Sequence, residues 1–190
     1  MKKANFELLD LKIGLSTYDP DTNETGILVQ PFNLNQLMEL HYYEDITKAN
    51  VLLVLKLNDS SSGILGQLMG MEPLDISWKD AEENVITYSM VVYDIQDRMV
   101  IDGKQSQATV YCVSPDAVKN SATKISKRFG KGGGQPTHEI VQGLLTDELK
   151  TDKVLDFDKS QTKLSFVSPY WDPYTTVSYT HLTLPTTEYV

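Results

Sequence analysis

Cysteine is nearly missing from this chain: 190 residues contain one, Cys112. A lone cysteine excludes an internal disulfide and any thiolate zinc site. Its setting, Thr109-Val-Tyr-Cys-Val113, is an apolar run, which predicts a buried structural thiol and not a nucleophile. Positive charge is also short, with 17 Lys and Arg against 26 Asp and Glu and a formal net charge of −9. A surface that grips nucleic acid needs clustered cations that release counterions, so that class is disfavoured. An acidic surface repels phosphate, which suits a conduit, past which nucleic acid moves as cargo, better than a binder. No apolar stretch approaches the ~18 unbroken residues of a membrane helix, so no membrane insertion is expected. The basic start, Met1 to Phe6, turns at once into polar and apolar alternation without a signal-peptide core. Synthesis in the cytoplasm is the expectation.

What is present is an ordinary globular composition, 41% hydrophobic and 23% charged, patterned in its first hundred residues at the strand period of two. Leu9, Leu11, Ile13 and Leu15 alternate with polar or small residues. The turn-rich stretch Tyr18 to Gly26 then precedes Ile27-Leu28-Val29, a hairpin with a long acidic tip. Leu37 to Tyr43 and Asn50 to Leu57 follow, the second nearly continuous in apolar residues, as in a strand buried on both sides. Ser60-Ser61-Ser62 reads as a cap for a short helix ended by Gly70. Strands resume at Leu74 to Trp78, Val85 to Ile95 and Gln107 to Val113. Spaced turns and few helices predict a mainly β fold, an antiparallel β-barrel from Phe6 to Val113. Its expected core includes Leu9, Leu11, Ile13, Val54, Leu55, Trp78, Val91 and Val110.

At Ser114 the pattern changes. Ser114-Pro115 starts a helix, Gly130-Lys-Gly-Gly-Gly134 marks a loop, and Pro136-Thr137 opens a helix with Ile140, Val141, Leu144, Leu145 and Leu149 on one face. Val154 to Phe157 and Lys163 to Val167 read as short strands. This is an α/β segment, and the chain ends before completing it. Asp172-Pro173 announces one more helix, with Tyr174 and Val177 turned inward. The Ser- and Thr-rich residues that follow, with Pro185, carry no 3.6-residue repeat, so that helix is not expected to continue. Residues 178–190 are similar to translated sequencing-adapter read-through, an artefact tail on a metagenomic fragment.

Each pattern that hints at chemistry fails on spacing. Gly130 to Gly134 resembles a phosphate loop, but Gly132 follows Lys131 where Ser or Thr is required. Asp19, Asp21 and Asn23 have the odd-position spacing of a calcium loop, yet Glu24 replaces its glycine and Gln30 its bidentate Glu. His138-Glu139 lacks the second histidine of His-Glu-x-x-His. His41 sits in an alternating strand, and His181 falls in the suspect tail. Acidic pairs such as Glu82-Glu83 leave a two-carboxylate hydrolase open. The expectation is a protein that is not an enzyme, with no catalytic residues, cofactor or metal.

Several stretches together resemble the N-terminal part of the baseplate hub proteins of contractile-tailed, T-even-like phages. They are Leu40-His-Tyr-Tyr-Glu-Asp-Ile46, Tyr88 to Arg98, Ser114-Pro-Asp-Ala-Val-Lys-Asn120, Ile125 to Lys131, His138 to Leu145 and Pro169-Tyr-Trp-Asp-Pro173. The resemblance implies a tail-tube domain over residues 1–113 and the start of an intervening α/β region over 114–177. It further implies a virion structural protein whose oligomeric ring, a trimer in the full-length protein, joins tail tube to spike around the DNA channel. The alternative is a β-rich receptor- or glycan-binding tail module using Tyr42, Tyr43, Trp171 and Tyr174 as a platform.

Overall fold

The computed structural model describes residues 7–19, 24–45, 48, 50–60, 63–101, 105–151, 153, 155–156 and 158–181. The chain divides into two compact units, residues 1–45 with 50–115, and 46–49 with 116–190.

The first unit is one seven-stranded antiparallel sheet. Its strands are β1 (Glu7–Asp19), β2 (Glu24–Pro31), β3 (Leu37–Tyr43), β4 (Leu52–Asp59), β5 (Pro73–Lys79), β6 (Val85–Ile101) and β7 (Gln105–Val113). They are ordered β2-β1-β5-β6-β7-β4-β3. β3 stands four places from β5, roughly 19 Å away in a flat sheet at ~4.8 Å per strand. Yet Tyr42 of β3 lies 5.4 Å, ring to ring, from Trp78 of β5 and from Tyr88 of β6. The sheet is therefore rolled into a barrel, and its inner face forms a single core. Leu11, Ile13, Leu55, Leu57, Ile76 and Val110 have no exposed surface there.

Bulges produce the bend and explain where period-two counting fails. The register shifts between Leu8 and Asp10 in β1, and twice in β6, between Val92 and Asp94 and between Gln96 and Met99. The β1 bulge moves Leu9 out of phase and leaves it exposed, while Leu8 packs on the core in its place. Val54 and Val91 are also not core residues. Each lies on the outer face, only partly covered, between buried neighbours Leu53 and Leu55 or Met90 and Val92. β4 is thus buried on one face and half-covered on the other. Leu11, Ile13, Leu55, Trp78 and Val110 are buried as the alternation requires.

A short helix, α1 (Ile64–Gln67), puts Ile64 and Leu65 into this core. Its cap is not the serine run. Gly63 takes a left-handed conformation, φ 65°, and the buried Asp59 carboxylate at the end of β4 accepts the Leu65 N–H at 3.1 Å. Ser61 and Ser62 lie outside the described residues.

The second unit is built of α2 (Pro115–Ala122), β8 (Arg128–Phe129), β9 (Gln135–Pro136), α3 (Thr137–Gly143), β10 (Lys163–Leu164), β11 (Phe166–Val167) and α4 (Pro173–His181). α3 continues as a π-helical turn over Leu144–Glu148. β9 pairs with β10 and β8 with β11, and Ile125, Phe129, Ile140 and Leu144 form a small core. Leu155 and Asp156 are not in a strand, and Val154 and Phe157 lie outside the described residues. α4 runs four residues past the point where the sequence argued against it. Asp172 accepts from the Thr175 N–H and hydroxyl, both at 2.8 Å, and Asn120 accepts the Tyr174 N–H at 2.8 Å. Two otherwise unpaired helix N–H groups are thereby satisfied. Tyr179 also rests on Trp171 and Phe166, 4.9 and 5.6 Å between ring centres. These contacts outweigh the modest helix penalty of Ser and Thr, at most ~0.7 kcal/mol each.

Candidate functional site

The first feature of interest is the arm made by β1 and β2. Beyond Ile13, β1 has left β5 and pairs with β2 alone, down to Asp19↔Glu24. Gly14 permits this departure, because a Cβ there would meet Pro73 and Ile27 side-chain atoms at 2.6 and 2.7 Å. Consecutive strand residues face opposite sides, yet Ile27, Leu28 and Val29 are 62, 50 and 53% exposed. β2 therefore exposes three consecutive aliphatics on a strand that ends the sheet, although Leu15 of β1, the register partner of Leu28, is buried in the core. Free edges of this kind are templates for association.

The second is the loop between α1 and β5, which displays Met69 (93% exposed) and Met71. It is held firmly. The nearly buried Glu72 carboxylate accepts the Met69 N–H at 2.6 Å and the Gly70 N–H at 2.8 Å. Met71 donates its N–H to the Val92 carbonyl at 2.6 Å, and the Arg98 guanidinium donates to the Leu68 carbonyl. Gly70 and Met71 both have positive φ, 111° and 72°, a costly conformation for methionine. Beside the loop is an open cleft of about 470 Å³, lined by Gln67, Leu68, Met69, Tyr93, Asp94 and Arg98 among others. Within this unit Lys12, Lys56 and Lys79 each pair with a carboxylate, Asp10, Glu39 and Glu7, at 2.6 to 3.6 Å. Arg98 has no carboxylate partner among the described residues.

Within each unit, the described residues singled out from sequence gather into no common site. Cys112 has no exposed surface, and burial, reinforced by the Glu72 charge, pushes its thiol up to about 12. It stays a neutral thiol at any physiological pH. His41 on β3 is exposed, 3.5 Å from Glu39 and stacked on Tyr43. Glu39 is held below its usual range by hydrogen bonds from Lys56 and His41. In the other unit, His138 Nδ1 accepts the Ser160 N–H at 3.1 Å. The side chains of Asp19 and His181 lie outside the description, as do Asp21 and Asn23 entirely, so the calcium-like spacing falls there. Glu82 and Glu83 occupy a tight turn organised by Asp80, which accepts the Glu82 and Asn84 N–H groups at 2.8 and 2.9 Å. The Asn84 side chain adds a further bond, and Asp80 is held below the usual carboxylate range. Among the described residues no group of three His, Cys, Asp or Glu is gathered as for a metal ion. None of their helices is long and apolar enough to cross a membrane.

Gly130 to Gly134 forms a tight turn, with the Gly134 N–H on the Gly130 carbonyl at 3.2 Å and positive φ at four of its glycines. A Cβ on Gly130 would lie 2.1 Å from the Leu164 carbonyl oxygen, so glycine serves strand approach there. Three of the four residues read as an aromatic platform are packed within their own units. Tyr42 is packed between Trp78 and Tyr88, its hydroxyl donating 2.9 Å to that of Tyr88. Burial, with hydrogen bonds to Tyr88 and Glu44, pushes its ionisation far up. Trp171 and Tyr174 are half-buried within the second unit, and of the four only Tyr43 is exposed. Sequence reasoning missed the Met69 loop and Arg98. Their signal was slight: of the five described methionines only Met90 lies in the apolar phase of a strand, while Met38, Met69, Met71 and Met99 do not.

No family model matches the sequence, and no curated protein does. Solved structures do resemble it. The 43 kDa tail protein of prophage MuSo2 from Shewanella oneidensis superposes with a TM-score of 0.50 at 9% identity, over 90% of this chain and 49% of that one. The E. coli c3393 protein is described as a type VI secretion component with structural similarity to the T4 bacteriophage tail proteins gp27 and gp5. It gives 0.48 at 10% identity, over 93% and 40% of the two chains. A half-lidded Francisella PdpA–VgrG complex gives 0.46 at 12%, over 88% and 26%. The chain thus spans less than half the length of each of these three structures, and its fold resembles that of the prophage tail protein.

Proposed function

We propose that this chain is a structural component of a phage-type tail, part of a baseplate hub that assembles as a ring between tail tube and spike. The observation that carries the reading is β2 of the arm, three consecutive exposed aliphatics on a terminal strand of a fold that resembles a prophage tail protein. A monomer gains nothing from such a strand, whereas ring assembly covers it. Residues 1–113 are then a tube-like domain and 114–177 the beginning of the region that follows it. In the full-length protein three subunits close the ring, and the virion baseplate is its location.

Charge distribution supports the same reading. Residues 1–45 with 50–115 carry 17 Asp and Glu against 7 Lys and Arg, a balance of −10, while residues 46–49 with 116–190 carry 9 against 10. The sheet unit therefore holds the whole net negative charge, and DNA passes such a surface without being captured. The role is mechanical and calls for no reaction, cofactor or metal. Electron microscopy of this chain at high concentration tests the proposal. Rings with a central channel are expected, and uniformly dispersed single subunits would remove the hub reading.

A further inference from the structure

We infer that the second unit binds a small amphiphile, a medium-chain carboxylate, with its apolar chain in a cavity walled by α2, the π-helical turn and α4 and its head group at the Lys153 ammonium. The inference goes beyond the assembly role and does not depend on it. Three observations carry it.

The cavity is small and its wall is apolar. It measures about 280 Å³, and Leu145, Leu149, Leu155, Tyr174 and Val177 supply most of its lining. Ligand sites run from about 300 to 1,000 Å³, so this one suits a compact molecule and not a folded partner. Water finds few hydrogen bonds on such a wall, and an apolar chain that displaces it is favoured.

The backbone is shaped around it. Leu144–Glu148 is a π-helical turn, in which the Leu149 N–H reaches the Leu144 carbonyl at 3.0 Å and the Thr151 N–H that of Leu145 at 3.1 Å. Wide turns of this kind are rare and gather at functional sites. Leu144 enters the small core with Ile125, Phe129 and Ile140. Leu145, Leu155 and Tyr174 stay outside that core, half-buried on the cavity wall. A bound chain gives these side chains the apolar neighbours that the small core does not supply.

The polar rim favours an anionic head. Asp116 accepts from the Thr151 hydroxyl and from Lys153, both at 3.2 Å, with Lys119 at 3.7 Å. One carboxylate there meets two ammonium groups. Lys153 is 69% exposed and carries three donors, of which Asp116 takes one. Asn120, on the same wall, is already engaged, accepting the Tyr174 N–H and donating to Asp172. Recognition of the head group therefore falls to the lysine, which attracts a carboxylate and repels an amine.

Titration of the 190-residue chain with octanoate, octanol and octylammonium tests the site, read by NMR of backbone amides and of leucine and valine methyls. Saturable shifts are expected with octanoate at Leu145, Leu149, Leu155 and Val177 and not in the seven-stranded sheet. At low salt octanoate should bind severalfold more tightly than octanol, and octylammonium most weakly. Lys153→Gln, a change at an exposed side chain, should lower octanoate to the affinity of octanol. Leu145→Trp, which fills the cavity, should abolish binding of all three. No saturable shifts with any of the three, or shifts centred on the sheet, overturn the site. Octanol or octylammonium binding as tightly as octanoate, or no effect of Lys153→Gln, overturns the assignment of a carboxylate.

Discussion

The two units are stabilised in different ways. The rolled sheet has long strands, a core of eighteen buried residues and all of the net negative charge. The second unit has four two-residue strands, short helices, a core of four buried residues and nearly balanced charge. What the second unit lacks in apolar burial it replaces with polar brackets. Ser168, fully buried, donates its hydroxyl to the Ile125 carbonyl at 3.0 Å and lies 3.3 Å from the equally buried Thr176 hydroxyl. Asp116 binds Lys153 and the Thr151 hydroxyl, both at 3.2 Å. A core assembled by burial tolerates exposed polar changes, whereas one assembled by hydrogen bonds depends on individual donors and acceptors.

The largest effect should follow Leu55→Ala, which removes a fully buried side chain from the rolled core and costs about 2–5 kcal/mol. Urea titration should show the loss as a lower midpoint. The same truncation at Ile140 should fall at the low end of that range, since fewer buried neighbours surround it; equal losses would erase the contrast between the units. Gly130→Ala comes next. Its positive φ and the near approach of the Leu164 carbonyl predict a cost of about 1–3 kcal/mol. Faster hydrogen exchange should be confined to residues after 115, and a uniform change would count against separate units.

Asp172→Ala should cost about 1 kcal/mol through loss of the α4 cap. Burial pushes the Asp172 carboxyl up, but the hydrogen bonds from Thr175 and Asn120 outweigh it and hold the group below its usual carboxylate range. A carboxyl depressed in the folded state adds stability above its unfolded value, about 3.9, and loses it as pH falls through the folded one. Wild type and variant should therefore converge in stability in strong acid, and a constant gap down to low pH would refute the cap. Cys112 gives the opposite sign. Its raised thiol leaves stability intact below about 8.5 and erodes it as pH climbs toward about 12. Native protein should resist thiol alkylation at pH 8 and react promptly once unfolded. Smallest on stability is Leu28→Lys, within about 0.5 kcal/mol for the isolated chain. Its effect should appear instead in association, as loss of the oligomer.

How far the sequence could be read follows the same division. Strands β3, β5 and β7 and the hairpin β1–β2 were legible because alternation over five or more residues leaves one stable phase. Leu9, Val54 and Val91 were misplaced because a bulge, or an outer face that is also apolar, removes the phase information. In the second unit α3 was clear from Ile140, Val141 and Leu144 on one face. α4 was not, since its stability comes from Asn120, fifty-four residues before Tyr174. Distant polar partners leave no periodic trace. The assembly features were the least legible. Ile27-Leu28-Val29 looks the same in sequence whether covered or bare.

Sedimentation of the 190-residue chain over a wide concentration range tests the central claim of assembly most directly. Mass is predicted to rise above the 21.4 kDa of one chain as concentration increases, and Leu28→Lys should abolish the rise. A single 21.4 kDa species at every concentration would contradict it.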